Sequence, residues 1–298
     1  MPLLTHRFQA MGTVCEVQLY APNRALAKRA VEQVLQDVER LEARYSRYRD
    51  SSFLSEINRV AASAGEIHVD EETALLLDYA DTCYQQSDGL FDITSGLLRK
   101  AWNFKSGRLP EQAQLDALLS RIGWQKVVWD SPVLRFSRPG MEIDFGGIVK
   151  EYAVDRAATL CQQQGIQHGM INLGGDIRII GPHPDGTPWR IGIQHPRNSR
   201  ETLCTVELSE GALASSGDYE RSLLIDGVRY GHILNPRTGW PVRHIAAVSV
   251  IADLCVLAGS VATIGMLRDE DAEEWLTELG GRCLWVTTAG EVGSLGFL

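Results

Sequence analysis

At 298 residues, 44% of them apolar, the chain can bury a large core, and its formal net charge of −9 speaks against a nucleic-acid partner. Phosphate backbones are held by clustered Lys and Arg that this sequence lacks, so a phosphorylated small ligand would need cations placed locally. The six cysteines, Cys15, Cys83, Cys161, Cys204, Cys255 and Cys283, are scattered among apolar neighbours with neither a C-x-x-C pair nor zinc spacing, which reads as reduced thiols.

Arg7 to Ala21 alternates as a strand or hairpin does. Asn23 to Arg44 carries Ala27, Val31, Val34, Leu35, Val38 and Leu41 at helical spacing, so a strand is expected to pack on a helix. Asp70 to Gln86 reads as a second amphipathic helix, Leu90 to Thr94 as an irregular turn into further helix, and Glu111 to Ser120 as another helix. From Gln125 onward short strands are predicted: Lys126 to Trp129, Val133 to Ser137, Met141 to Phe145, Met170 to Leu173, Ile177 to Ile180, Trp189 to Gln194 and Thr205 to Leu208. A helix from Ile148 to Gln163 interrupts them. The chain closes with a strand at Ala246 to Ala252, a helix near Val256 to Leu267, a short acidic helix from Asp269 to Leu279 and a hairpin-like tail from Cys283 to Gly296. With no Pro/Gly/Ser-rich linker, the expectation is one α+β domain over residues 1–298, a mixed sheet lobe with a helical lobe packed against it.

Two glycine pairs end apolar strand-like runs, Gly146-Gly147 after Met141-Glu142-Ile143-Asp144-Phe145 and Gly174-Gly175 after Met170-Ile171-Asn172-Leu173. Such pairs mark unusual dihedrals or a close approach of a ligand to backbone. The first runs into a predicted helix start, where unpaired N–H groups and Lys150 would suit a phosphate. Two tight turns in a sheet would give the same pattern.

Further motifs follow one another along the chain: Phe8-Gln9-Ala10-Met11-Gly12-Thr13; Tyr45-Ser46-Arg47-Tyr48 with Ser55 to Asn58; Asp88-Gly89-Leu90-Phe91-Asp92-Ile93-Thr94; Asp144 to Asp155; Asn172-Leu173-Gly174-Gly175-Asp176; Ser216-Gly217 with Arg221; and His232-Ile233-Leu234-Asn235-Pro236-Arg237-Thr238-Gly239. In this order and spacing the set resembles the ApbE family of FAD:protein FMN transferases across nearly the whole chain. The resemblance implies a T-fold-like architecture. It also implies an enzyme that splits FAD at its pyrophosphate, moves FMN through a phosphoester bond onto a Thr or Ser hydroxyl of an acceptor protein, and releases AMP.

On that resemblance His232 is the candidate base, an imidazole whose ordinary pKa of roughly 6.5 lets it take a proton at cellular pH. Met11, Tyr48, Leu90, Phe91, Asp92, Asp144, Lys150 and Ile233 are carried over as FAD-binding residues. Met11, Tyr48 and Phe91 suit flat rings, Asp92 and Asp144 can accept hydrogen bonds, and Lys150 can face phosphate. Outside the shared pattern, Tyr48 and Phe91 also read as core aromatics, Asp144 as a turn cap, and His232 as a structural hydrogen-bonding residue.

The chain departs from the family at the metal. Members carry Ala-Asp-x-x-x-Thr, whose Asp and Thr bind Mg²⁺ with a backbone carbonyl of the glycine turn, whereas this chain has Ala258-Gly259-Ser260-Val261-Ala262-Thr263. Mg²⁺ would then rest on the pyrophosphate, Thr263, the carbonyl of Gly147 and waters, with room for a carboxylate from elsewhere. FAD hydrolysis to FMN and AMP, or FAD binding without turnover, are the rival functions. No apolar run is long enough to span a bilayer, and the amino terminus meets a charge before any stretch of signal-peptide length, so a cytoplasmic location is expected.

Overall fold

The alternating amino-terminal segment folds as a hairpin. In the computed structural model, which describes residues 1–219 and 221–297, β1 (Leu3–Ala10) pairs antiparallel with β2 (Thr13–Tyr20). Met11 and Gly12 between them sit at φ +52° and +76°, the left-handed pair that a two-residue hairpin turn requires. Next come α1 (Arg24–Tyr45), where the Asn23 side chain accepts from the Leu26 N–H, and α2 (Phe53–Ala62), capped in the same way by Ser52. They are followed by β3 (Glu66–His68), α3 (Glu71–Gln86) with its Asp70 cap, a 3-10 segment at Ile93–Lys100, and α4 (Gln112–Leu119). β4 (Val127–Asp130) and β5 (Val133–Phe136) join β3 in a three-stranded sheet.

After α5 (Val149–Gln163) come β6 (His168–Leu173), β7 (Asp176–Gly181), β8 (Trp189–His195), β9 (Asn198–Leu208) and β10 (Ala212–Gly217). The small β11 (Ser222–Ile225) and β12 (Val228–Gly231) pair with each other. β13 (Ile245–Ala252), α6 (Cys255–Arg268), α7 (Ala272–Leu279), β14 (Arg282–Thr287) and β15 (Val292–Leu295) complete the chain.

The main sheet has eight strands in the order β1-β2-β6-β7-β10-β13-β14-β15, and every neighbouring pair is antiparallel. With helices segregated from this sheet, the fold is α+β. Both faces of the sheet are covered. Ile171, Leu173, Val248, Val250, Cys283 and Trp285 point into a core shared with the helices, while their neighbours Met170, Ala247, Ile251, Leu284 and Val286 join Trp189, Ile191 and Ile193 beneath the β8–β9 ribbon. Successive side chains alternate between faces, so one strand feeds both cores. A third cluster, built on Leu97, Leu98, Trp102, Leu115 and Leu118, holds the 3-10 segment to α4.

One predicted strand is corrected. Met141 to Phe145 belongs to no sheet, although Met141, Ile143 and Phe145 are buried. Its backbone bonds go elsewhere: Asn58 grips Ile143 with both ends of its amide, at 2.8 and 3.0 Å, and the Asp144 N–H donates to the Ile93 carbonyl. Alternating burial reports two-sided packing, which an amide clamp can hold as well as a neighbouring strand. The sequence reading also missed α2, β3, β11, β12 and the interior strand β10, whose Ala212-Leu213-Ala214-Ser215-Ser216-Gly217 lacks the branched and aromatic residues that signal a strand. The six cysteines are unpaired, five of them buried. Among the described residues no helix is long and apolar enough to cross a membrane.

Candidate flavin and metal site

Antiparallel pairing brings the β1–β2 turn, the β6–β7 turn and the end of β10 to one end of the main sheet. Gly174 and Gly175 form the β6–β7 turn, with φ +67° and +96°. A Cβ on Gly174 would lie 2.5 Å from Thr13 Oγ1, so this turn nests against the start of β2, beside Met11. Met11 is a non-glycine residue in the left-handed region, which costs about 1–2 kcal/mol and sits here next to the candidate ligand residues.

The other glycine pair differs. Neither Gly146 nor Gly147 has a positive φ, and both lie in the turn that enters α5. Asp144 closes that turn by accepting from the Gly146 N–H at 3.0 Å, and its other oxygen pairs with Arg47. Arg47 in turn donates to the Tyr48 hydroxyl at 3.1 Å and lies over its ring. Partial burial would raise the Tyr48 phenol's pKa, but the neighbouring Arg47 and Arg221 outweigh it and lower the pKa. Tyr48 is 75% exposed, so it stands as a surface aromatic and not as part of the core.

Phe91 is buried, and its ring lies 3.3 Å from where a Cβ on Gly147 would be, so it forms the floor of the glycine turn. Leu90 is buried beside it. Asp92 is engaged within the protein: one oxygen accepts from the Thr94 N–H and hydroxyl at 2.8 and 2.6 Å, the other from the Trp124 N–H at 3.0 Å. Burial raises its pKa against those bonds. Its carboxylate fixes the loop that carries Phe91 and faces these protein donors.

Lys150, in the first turn of α5, joins the two glycine pairs. Its Nζ is 2.8 Å from Asp176 Oδ2, immediately after Gly175. Behind it Glu151 is buried, with Oε2 lacking any hydrogen-bond partner. Burial pushes both the Glu151 and Asp176 carboxyls above the usual carboxylate range; the nearby Asp176 charge adds to this for Glu151, and Lys150 opposes it for both. Thr263, on α6, has its Oγ1 3.1 Å from Ser216 Oγ at the end of β10. Among the described residues no group of three His, Cys, Asp or Glu side chains forms a ready metal cage.

His232 follows β12, where a Cβ on Gly231 would press on Asp218 at 2.8 Å. Asp218 is buried and paired in a fork by Arg197, at 2.5 and 2.8 Å. Ile233 packs against the helix-side core, and its carbonyl accepts from the Val242 N–H. Asn235 shapes the following turn: its Oδ1 accepts from the N–H groups of Arg237 and Thr238 at 2.9 and 3.3 Å, a task an amide performs without charge. The sequence reading gave no role to Arg47, Glu151 or Asp218. Each stands beside a residue it had singled out, and that adjacency was the available signal.

An eight-stranded antiparallel sheet backed by helices, with Lys150 reaching from the start of α5 to Asp176 beside the β6–β7 glycine turn, defines an α+β protein with a charged cluster at one end of its sheet. The sequence profile described as the ApbE family matches residues 11–285, and the chain belongs to that family. It is 31% identical to the FAD:protein FMN transferase of Vibrio cholerae over 88% of this chain and 80% of that protein. It is 32% identical to the FAD:protein FMN transferase of Chlamydia pneumoniae over 83% of this chain and 79% of that one. The crystal structure of the ApbE protein of Thermotoga maritima superposes with a TM-score of 0.90 at 30% identity, covering 99% of this chain and 97% of that one.

Proposed function

We propose that this protein transfers FMN from FAD to a Thr or Ser hydroxyl of an acceptor protein and releases AMP, with residues 1–298 acting as one flavin transferase domain. The observation that supports the reading is the Lys150 ammonium at the start of α5, 2.8 Å from Asp176 beside Gly175, with Phe91 lying against Gly147. In this reading the acceptor hydroxyl oxygen bonds to the FMN phosphorus, the pyrophosphate P–O bond breaks, and AMP departs with the electron pair. His232 takes the hydroxyl proton, a contribution on the order of 10²–10⁴-fold for a well-placed general base. Met11, Tyr48, Leu90, Phe91 and Ile233 hold the flat part of FAD. Asp144 fixes the glycine turn, Asp92 fixes the loop bearing Phe91, and Lys150 exchanges Asp176 for phosphate oxygen.

Mg²⁺ fits the donors present: the Thr263 hydroxyl, the Gly147 carbonyl and the buried Glu151 carboxyl are hard oxygen ligands. When bound it would neutralise charge on the pyrophosphate. Six unpaired cysteines support a reducing, cytoplasmic setting. The test is one reaction with FAD, Mg²⁺ and an acceptor, followed by mass spectrometry and AMP detection, beside an acceptor-free control. FMN on the acceptor in step with AMP is the expected result. AMP without acceptor would replace transfer by hydrolysis, and FAD binding without AMP would leave a flavin-binding protein.

A further inference from the structure

Position 259, where the family's metal-binding Asp would stand, is glycine in this chain, and the space above it is filled. A Cβ built on Gly259 would lie 2.5 Å from Glu151 Cγ and 3.1 Å from both Cδ and Oε1. The Glu151 carboxyl, reaching over from α5, thus occupies the volume into which a side chain at 259 would grow. The two helices are locked in this register. Asp155, one turn beyond Glu151 on the same face of α5, accepts from the first N–H groups of α6, Cys255 and Val256, at 2.9 Å each. With Asp155 holding residue 255, Glu151 falls opposite residue 259. Gly259 and Thr263 are four apart on α6 and share a face, so Glu151 is brought to the Thr263 side of the helix.

The chemistry of the pocket asks for a cation. Two carboxyls, Glu151 and Asp176, share one ammonium, Lys150, in a region where Glu151 is only 7% exposed and Asp176 only 2%. Glu151 Oε2 makes no geometric hydrogen bond, and the carboxyl faces that of Asp176. A buried carboxylate oxygen left unmatched is costly unless something binds it.

We propose that Glu151 supplies, from α5, the metal-binding carboxylate that α6 lacks at Gly259, so that Mg²⁺ is held by Glu151, Thr263 and the Gly147 carbonyl. This rests on the transferase reading for the identity of the metal. Glu151 and Gly259 then form a matched pair: the glycine exists because the glutamate needs its room.

The test is a Mn²⁺ titration followed by electron paramagnetic resonance in the presence of FAD, with Mg²⁺ as competitor, alongside the flavin-transfer assay. The proteins are the wild type, Glu151→Gln, Glu151→Ala and Glu151→Ala/Gly259→Asp. Glu151→Gln keeps the shape and should weaken Mn²⁺ binding at least about tenfold. Glu151→Ala should do the same, and the double variant, which moves the carboxylate back to α6, should recover affinity to within about threefold of wild type. Unchanged affinity in Glu151→Gln, or wild-type protein that binds no Mn²⁺ with FAD, overturns the inference. If transfer proceeds while affinity ignores residue 151, the inference falls and the transferase reading stands. If Mn²⁺ binding depends on Glu151 but no transfer occurs, the transferase reading falls and the metal site stands.

Discussion

The two faces of the eight-stranded sheet are built on different principles. Beneath the β8–β9 ribbon a buried apolar cluster borders a cavity of about 960 Å³ that mixes Met170, Trp189 and Ile191 with Gln18, Asn172 and Arg190. Gly174 and Gly175 of the β6–β7 turn line its edge, while Lys150, Phe91, Asp144, His232 and Thr263 do not. On the helix side the core is also apolar, but it is edged with charge: Arg156 and Arg40 bind Asp37, Arg40 binds Glu72, and Lys150, Glu151 and Asp176 sit at the sheet end. The two faces thus meet at the β6–β7 turn, which borders the cavity on one side and carries Asp176 toward Lys150 on the other. The charged cluster of Lys150, Glu151 and Asp176 lies where the start of α5 meets the β6–β7 turn, because helix starts and strand turns leave backbone and charged groups unmatched.

If this division is real, changes on the two faces separate activity from stability. His232→Ala should lower FMN transfer by about 10²–10⁴-fold with the melting temperature nearly unchanged, read by mass spectrometry of the acceptor and by thermal unfolding. An equal loss of stability would make His232 a structural residue. Ile191→Ala, under the ribbon, should cost about 2–5 kcal/mol in urea unfolding, while the folded fraction transfers FMN at the wild-type rate. A fall in rate per folded molecule would tie the ribbon cavity to the reaction.

The glycine turns sharpen the same contrast on a smaller scale. Gly174→Ala forces a side chain into φ +67° and against Thr13, so it should cost at least about 1–2 kcal/mol of stability. Gly147→Ala meets only the edge of the Phe91 ring at 3.3 Å and has no positive φ. It should lose less stability than Gly174→Ala and more FAD affinity, as equilibrium titration with FAD would show. The reverse ranking would make the β6–β7 turn the ligand contact.

The smallest effect is expected from pH. Arg40, donating to both Glu72 oxygens at 2.6 and 2.8 Å, holds that carboxyl below its ordinary value against the opposing effect of burial. A carboxyl depressed in the folded state adds stability above its unfolded pKa and loses it as pH falls through the folded one. Thermal stability should therefore decline below about pH 4.5, and Glu72→Gln should flatten part of that decline. A variant with the wild-type acid profile would show that the helix-side ion pairs contribute nothing measurable.

The sequence by itself determined every helix but α2 and most strands. Their apolar spacing reports burial directly, and caps such as Asn23 and Asp70 act within three residues of the helix they start. It also carried the family and the candidate residues, because the motif order survives in one dimension. Tertiary structure alone decided the rest. Asn58 and Ile143 are 85 residues apart, so nothing local could distinguish an amide-clamped segment from a strand. Gly174-Gly175 and Gly146-Gly147 are the same dipeptide, and only their neighbours make one a left-handed hairpin turn and the other a helix entrance floored by Phe91. Gly259 reads in sequence as a lost carboxylate, and only the packing of α5 on α6 places Glu151 over it. Short-range geometry is written in spacing, whereas the partner of a charge is set by which helices pack together.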